Sequence, residues 1–192
     1  HFIFTNICIS SNGSDSNIEF ASNAIFSNNS VTGDSSAGGA IFNGKDSVIK
    51  FSGGVIFTNN SATSYGGAIA NAGTLDLFAY GNNIEFTGNT VNGVSNAIYD
   101  ERGTINLQSY SNADIIFNDS IASADDTSIL NIDCYDRGKV LLNEDMNGYT
   151  GFVNLNYGSL EIKEGKKFFN TDKFTIYNGT FTANANSILK GF

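Results

Sequence analysis

Residues 57–69 read FTNNSATSYGGAI, and both ends of that stretch recur along the chain. The opening phrase Phe57-Thr58-Asn59-Asn60 returns as Phe26-Ser27-Asn28-Asn29, as Phe86-Thr87-Gly88-Asn89 and more loosely as Phe117-Asn118-Asp119-Ser120. The closing phrase Gly66-Gly67-Ala68-Ile69 returns as Gly38-Gly39-Ala40-Ile41, then decays to Ser95-Asn96-Ala97-Ile98 and Asp126-Thr127-Ser128-Ile129. Phe26, Phe57, Phe86 and Phe117 are spaced by 31, 29 and 31 residues. A fixed period in this range means stacked structural repeats, each unable to bury its apolar face alone.

Each period holds three segments that alternate apolar and polar, the pattern of a half-buried strand. The first places Ala24/Phe26, Val55/Phe57, Ile84/Phe86 and Ile115/Phe117 inward, with Ile25, Ile56, Glu85 and Ile116 outward. The second puts Ile41, Ile69, Ile98 and Ile129 inward. The third puts Ile49/Phe51, Leu75/Leu77 and Ile105/Leu107 inward around Lys50, Asp76 and Asn106. Ile3-Phe4-Thr5-Asn6 and Ile18-Glu19-Phe20 read as an earlier, shorter coil. Three alternating strands per period, repeated at matching offsets, predict an all-β parallel β-helix, a solenoid whose inward positions stack as ladders of like residues. Asn29, Asn60 and Asn89 fall where the chain must turn and are predicted to form a ladder, since asparagine tolerates left-handed backbone and bonds neighbouring peptides. The Gly38-Gly39 and Gly66-Gly67 pairs leave room for sharp bends or close coil-to-coil approach.

After residue 129 the wording changes. Val153-Asn154-Leu155 and Gly158-Ser159-Leu160 return as Phe174-Thr175-Ile176 and Gly179-Thr180-Phe181, 21 residues on. The expectation is one continuous helix over residues 1–192: wide coils over 1–129, narrower ones over 130–192, and no linker between them.

Composition fits that reading. The 192 residues hold 27 asparagines and 21 glycines, enough for frequent tight turns, and no proline. The net charge of −9 divides into −11 over residues 1–160 (16 acids, 5 bases) and +2 over residues 161–192 (3 acids, 5 bases). An acidic surface repels phosphate backbones and anionic lipid, which argues against nucleic acid and anionic membranes as partners, and no direct membrane insertion of this segment is expected. Lys163, Lys166, Lys167 and Lys173 read as a solvated face. The chain opens on His1 with no signal peptide or membrane-length apolar run, as expected of a part of a longer protein. Cys8 and Cys134 lie about four coils apart; at ~4.8 Å per coil that is about 19 Å, beyond the ~7 Å a disulfide spans. Both are expected to be unpaired and buried.

At the paired phrases the chain resembles the repeats of chlamydial polymorphic outer-membrane proteins. Asp145-Met146-Asn147-Gly148-Tyr149-Thr150-Gly151, followed by Val153-Asn154-Leu155, is similar to the later coils of other autotransporter passengers. Two copies of both phrases are full, at Phe26–Ile41 and Phe57–Ile69; in the later ones Ser95-Asn96 replaces Gly-Gly and Ser120 replaces the asparagine. The resemblance implies a right-handed, single-stranded β-helix exported by type V secretion through the periplasm, displayed on a bacterial surface or outer membrane, or secreted. It implies adhesion to a host-cell surface protein or glycan, or to a neighbouring bacterial passenger.

β-Helices also carry enzymes. Many pectin-degrading hydrolases on this fold use Asn-Thr-Asp, Asp-Asp, Gly-His-Gly and Arg-x-Lys clusters. Asn170-Thr171-Asp172 and Asp125-Asp126 are present, but in reversed order and two coils apart, and the only histidine is His1. A lyase needs a calcium cradle of acids and a base to take a proton. Asp133 and Asp136 beside Arg137 and Lys139 approach that most nearly, and read more simply as turn-capping acids beside solvated bases. No phosphate-cradling glycine loop and no Cys/His metal spacing occurs, so no cofactor is implied. Sequons at Asn12, Asn28, Asn59, Asn118 and Asn178 are ordinary for so Asn- and Ser-rich a chain.

The reading is therefore a non-catalytic adhesin or passenger segment. A carbohydrate-active enzyme and a purely structural stalk are the alternatives. The candidate contact residues are Tyr80 and Tyr110, each three residues past an inward leucine, on insertions expected to rise as adjacent loops beyond the short Gly54 corner. Tyrosine offers large contact area with a polar tip. The competing reading is that both rings fold back as packing caps.

Overall fold

The computed structural model describes residues 2–11, 13 and 16–190; Asn12 and the terminal His1 and Phe192 lie outside them. It is an all-β solenoid whose strands run parallel from coil to coil on three faces. The first face stacks Phe2–Phe4, Ala24–Ser27, Val55–Thr58, Ile84–Thr87, Ile115–Phe117, Lys139–Leu142, the second half of Phe152–Ile162, and Gly179–Ala183. The second stacks Ile9–Ser11, Ile41–Asn43, Ile69–Asn71, Ile98–Asp100 and Ile121–Ser123. The third stacks Asn17–Phe20, Val48–Ser52, Thr74–Tyr80, Thr104–Tyr110, Ile129–Cys134, the first half of Phe152–Ile162, and Phe174–Ile176. First and third faces merge where Phe152–Ile162 runs round their shared corner, past Gly158 at φ 88°.

The first-face register joins residues 26, 57, 86, 117, 142, 162 and 183, steps of 31, 29, 31, 25, 20 and 21 residues. Phe26, Phe57, Phe86 and Phe117 are all fully buried. Their rings stack nearly parallel, with centroids 4.9, 4.8 and 4.8 Å apart, and Phe4 extends the pile at 4.6 Å. That spacing is the inter-strand distance of a sheet, so the backbone ladder sets the ring stack. Phe20 and Phe51 form a second pile from the third face, meeting the first edge-on at 5.5 to 5.9 Å.

A buried amide ladder runs beside the phenylalanines. The Nδ2 of Asn29 donates to Asn60 Oδ1 (2.9 Å), and that of Asn60 to Asn89 Oδ1 (2.8 Å). The same amides also donate to the Phe4, Phe26 and Phe57 carbonyls of the coil before (3.1, 3.0 and 2.9 Å). Left-handed backbone falls one residue earlier than expected, at Asn28 (φ 56°), Asn59 (φ 55°) and Gly88 (φ 75°). One residue of the phrase turns the chain and the next satisfies it. Of the paired glycines, Gly38 and Gly66 take the positive φ (68° and 59°), and a methyl group on Gly39 or Gly67 would strike backbone of the following coil.

Several expectations are corrected. Ile129 is not the fourth second-face residue: Ile121 pairs with Ile98 and is buried, while half-buried Ile129 opens a third-face strand opposite Thr104. Asp119, not Ser120, ends the amide ladder, taking Asn89 Nδ2 at 2.7 Å. Both shifts arise because this coil begins to narrow. Cys134 is buried and unpaired, but Cys8, also unpaired, is exposed. A second buried ladder, Asn43–Asn71–Asp100, joins the second-face strand ends at 2.8 and 2.7 Å. Thr90–Val91 and Val94–Ser95 form a small antiparallel hairpin, turned by Asn92 and Gly93 at φ 48° and 77°, with Val94 exposed.

Candidate functional site: an aromatic edge

Tyr80 and Tyr110 stand directly opposite each other in the parallel register of Thr74–Tyr80 and Thr104–Tyr110. They end extended strands rather than sitting on loops, because hydrogen bonding between these coils continues to the corner. The Gly54 corner before them is short, and a side chain at Gly54 would run into Asn82.

The edge is longer than the sequence reading proposed. Tyr110 stacks on Tyr135 (4.6 Å), and Tyr135 on Tyr157 (4.8 Å). Phe78 meets Tyr110 edge-on at 5.0 Å and Tyr80 at 6.0 Å. Each tyrosine precedes a left-handed corner residue: Gly81 (φ 66°), Ser111 (56°), Asp136 (48°) and Gly158 (88°). Tyr135 and Tyr157 follow Tyr110 at 25 and 22 residues, steps visible only once the coil is allowed to narrow. Stacked in this way, the rings turn edges and hydroxyls outward and hide their faces. Tyr110 is a half-buried packing element, whereas Tyr80 and Tyr157 stay 59% and 43% exposed. Loss of water contact and the neighbouring Asp133 carboxylate raise the Tyr135 hydroxyl above its ordinary range, keeping it a neutral donor.

Of the carboxylates weighed for catalysis, Asp125, Asp126 and Asp133 are engaged elsewhere. Asp125 binds Arg102 Nε (2.5 Å) and the Thr127 hydroxyl (2.7 Å), and the Thr127 hydrogen bonds above all hold it down at about 2. Asp126 pairs with Lys173 Nζ at 2.7 Å, and that ammonium lies 4.5 Å over the Phe152 ring. Asp133 accepts from Asn156 Nδ2 (3.1 Å), and Lys139 reaches Glu161 of the next coil (3.0 Å). Lys166 and Lys167 pair with Glu144 and Asp145 at 2.7 and 3.3 Å, so these two tail lysines are ion-paired on the surface, while Lys163 is simply exposed. Among the described residues, no three Cys, His, Asp or Glu side chains converge as a metal site.

Residues 54–72 match the family model of the Chlamydia polymorphic membrane protein repeat. No curated protein and no solved structure matches the chain. The matched repeat is one structural unit: the first-face strand Val55–Thr58, the Asn60 rung, the Gly66-Gly67 corner and the second-face strand Ile69–Asn71. It leaves out the third face and the edge tyrosines Tyr80, Tyr110, Tyr135 and Tyr157. The repeat suggests a passenger of the polymorphic membrane protein kind, at the outer membrane or cell surface.

Proposed function

We propose that this chain is a non-catalytic, surface-exposed passenger segment of a type V autotransporter. It attaches its bearer to a host-cell surface protein or glycan, or to a neighbouring bacterial passenger. The supporting observation is the polymorphic membrane protein repeat at residues 54–72, set in a β-helix stiffened by ring and amide ladders. Such a rod has little need of a pocket, and the tyrosine edge at Tyr80, Tyr110, Tyr135 and Tyr157 offers amphipathic contact area along it.

The test displays the intact surface protein with Tyr80→Ser and, separately, Tyr110→Ser. Tyr80 makes one distant ring contact, so its loss is expected to weaken attachment without lowering the melting temperature. Tyr110→Ser is expected to reduce both, since that ring is stacked. Unchanged attachment in both variants would remove the edge as the contact. A fragment that binds neither cells nor its own kind would leave a structural stalk. Turnover of polyuronides above background would bring back the enzyme reading.

A further inference from the structure

We infer that the corner between the second and third faces carries a separate binding notch for a neutral sugar unit. The corner is uneven. Four residues join Asn43 to Val48, two join Asn71 to Thr74, and three join Asp100 to Thr104. The middle coil, with only Ala72 and Gly73, therefore dips between two taller turns. The resulting cavity of about 400 Å³ is lined by Phe42, Gly44, Lys45, Ala72, Glu101 and Arg102. That size lies within the usual range for small-ligand sites, ~300–1,000 Å³.

The lining suits a polyol. Phe42 points outward from the second face, and its register neighbour in the next coil is Ala70, too small to cover the ring. The ring has no aromatic partner among the described residues and offers the apolar wall that a sugar's C–H face packs against. The Lys45 ammonium makes no ion pair, and the Glu101 carboxylate no side-chain hydrogen bond, among the described residues. Arg102 commits its Nε to Asp125, leaving the far end of the guanidinium free to donate. Donors thus stand on both rims and an acceptor on one, as paired hydroxyls require.

Charge selects neutral over acidic sugars. Within the lining Lys45 offsets Glu101, and Arg102 is already paired with Asp125, so a carboxylate or sulfate finds no uncompensated cation there. Both rims also hold a non-glycine residue in left-handed backbone, Asp46 at φ 61° and Arg102 at φ 63°. The same left-handed backbone serves corners elsewhere in the solenoid, at Asn28, Asn59 and Asp136, and here it sets the direction in which the two rims leave the strands.

The notch lies apart from the tyrosine edge and does not depend on the attachment reading. The test is saturation-transfer NMR on the 192-residue chain, with lactose, cellobiose and mannobiose as neutral probes and sialyllactose as the anionic one. Transfer to at least one neutral disaccharide is expected. Calorimetric affinity should weaken at least about tenfold in Lys45→Ala combined with Glu101→Gln, with an unchanged melting temperature, since both side chains are exposed. Transfer to no neutral probe, transfer to sialyllactose alone, or undiminished affinity in the double variant would each overturn the site. Sugar binding that persists while attachment is absent would support the notch and count only against the attachment reading.

Discussion

Phe57 lies between two like rings at 4.9 and 4.8 Å and meets Phe51 edge-on at 5.5 Å, with no exposed surface. Truncation to alanine removes the apolar transfer term, leaves a cavity and breaks both stacking contacts. Phe57→Ala is therefore expected to lower unfolding free energy by about 3–5 kcal/mol, read from the urea midpoint at unchanged slope. Asn60 does a different job from one coil corner. Its amide donates to Asn89 and to the Phe26 carbonyl, and its Oδ1 takes both the backbone and side-chain N–H of Asn29. Asn60→Ala removes the acceptor of the Asn29 backbone N–H and of one side-chain N–H in the interior, at about 1–3 kcal/mol for each group left unpaired. A loss no larger than that of an exposed asparagine would mean the ladder carries no net stability.

At the scale of coils and corners, glycines separate two costs. Gly66 has φ 59°, and an added methyl would strike the backbone carbonyl of Ile69; Gly93, at φ 77°, has open space beside it. Gly93→Ala should therefore show only the left-handed backbone cost of about 1–2 kcal/mol, and Gly66→Ala distinctly more. Equal melting temperatures for the two would refute the steric part of this account. The wide coils were legible in the sequence because ladders demand like residues at like offsets, so Phe26, Phe57, Phe86 and Phe117 announce their own register. Legibility failed where the coil narrowed. With the step still held near 30 residues, Ile129 was placed where Ile121 belongs, and Asp119 was passed over for Ser120. The same assumption hid Tyr135 and Tyr157 behind Tyr110. The Phe42 notch had no sequence signal at all, because it arises from differences in corner length between coils that only stacking brings together.

Over the whole molecule, the buried and the paired carboxylates pull stability in opposite directions with pH. Asp100 is fully buried at the end of the Asn43–Asn71 ladder. Its Oδ2 and the buried Tyr149 hydroxyl have no hydrogen-bond partner among the described residues. Burial, opposed by hydrogen bonds from Asn71, Ser128 and Gly103, raises Asp100 from 3.8 to about 7. The folded chain thus holds this proton more tightly than the unfolded one. The stabilisation is complete below the ordinary aspartate range and is lost as pH rises through about 7, up to about 4 kcal/mol at ~1.4 kcal/mol per unit. Asp119 is raised in the same direction, again chiefly by burial. Asp125, Asp145 and Glu161, all half-buried at the surface, are lowered chiefly by hydrogen bonds, so their smaller contribution is lost as pH falls below the ordinary carboxylate range. Self-repulsion from a net charge of −9 also eases toward acid. The melting temperature is therefore expected to peak at mildly acidic pH and to decline toward pH 8. Asp100→Asn keeps an acceptor for Asn71 and places a neutral amide where Oδ2 is unpartnered, so it should flatten the alkaline limb. The variant should melt above the parent at pH 8 and close to it at pH 4.5, whereas parallel profiles across that range would show that Asp100 does not hold its proton in the folded rod.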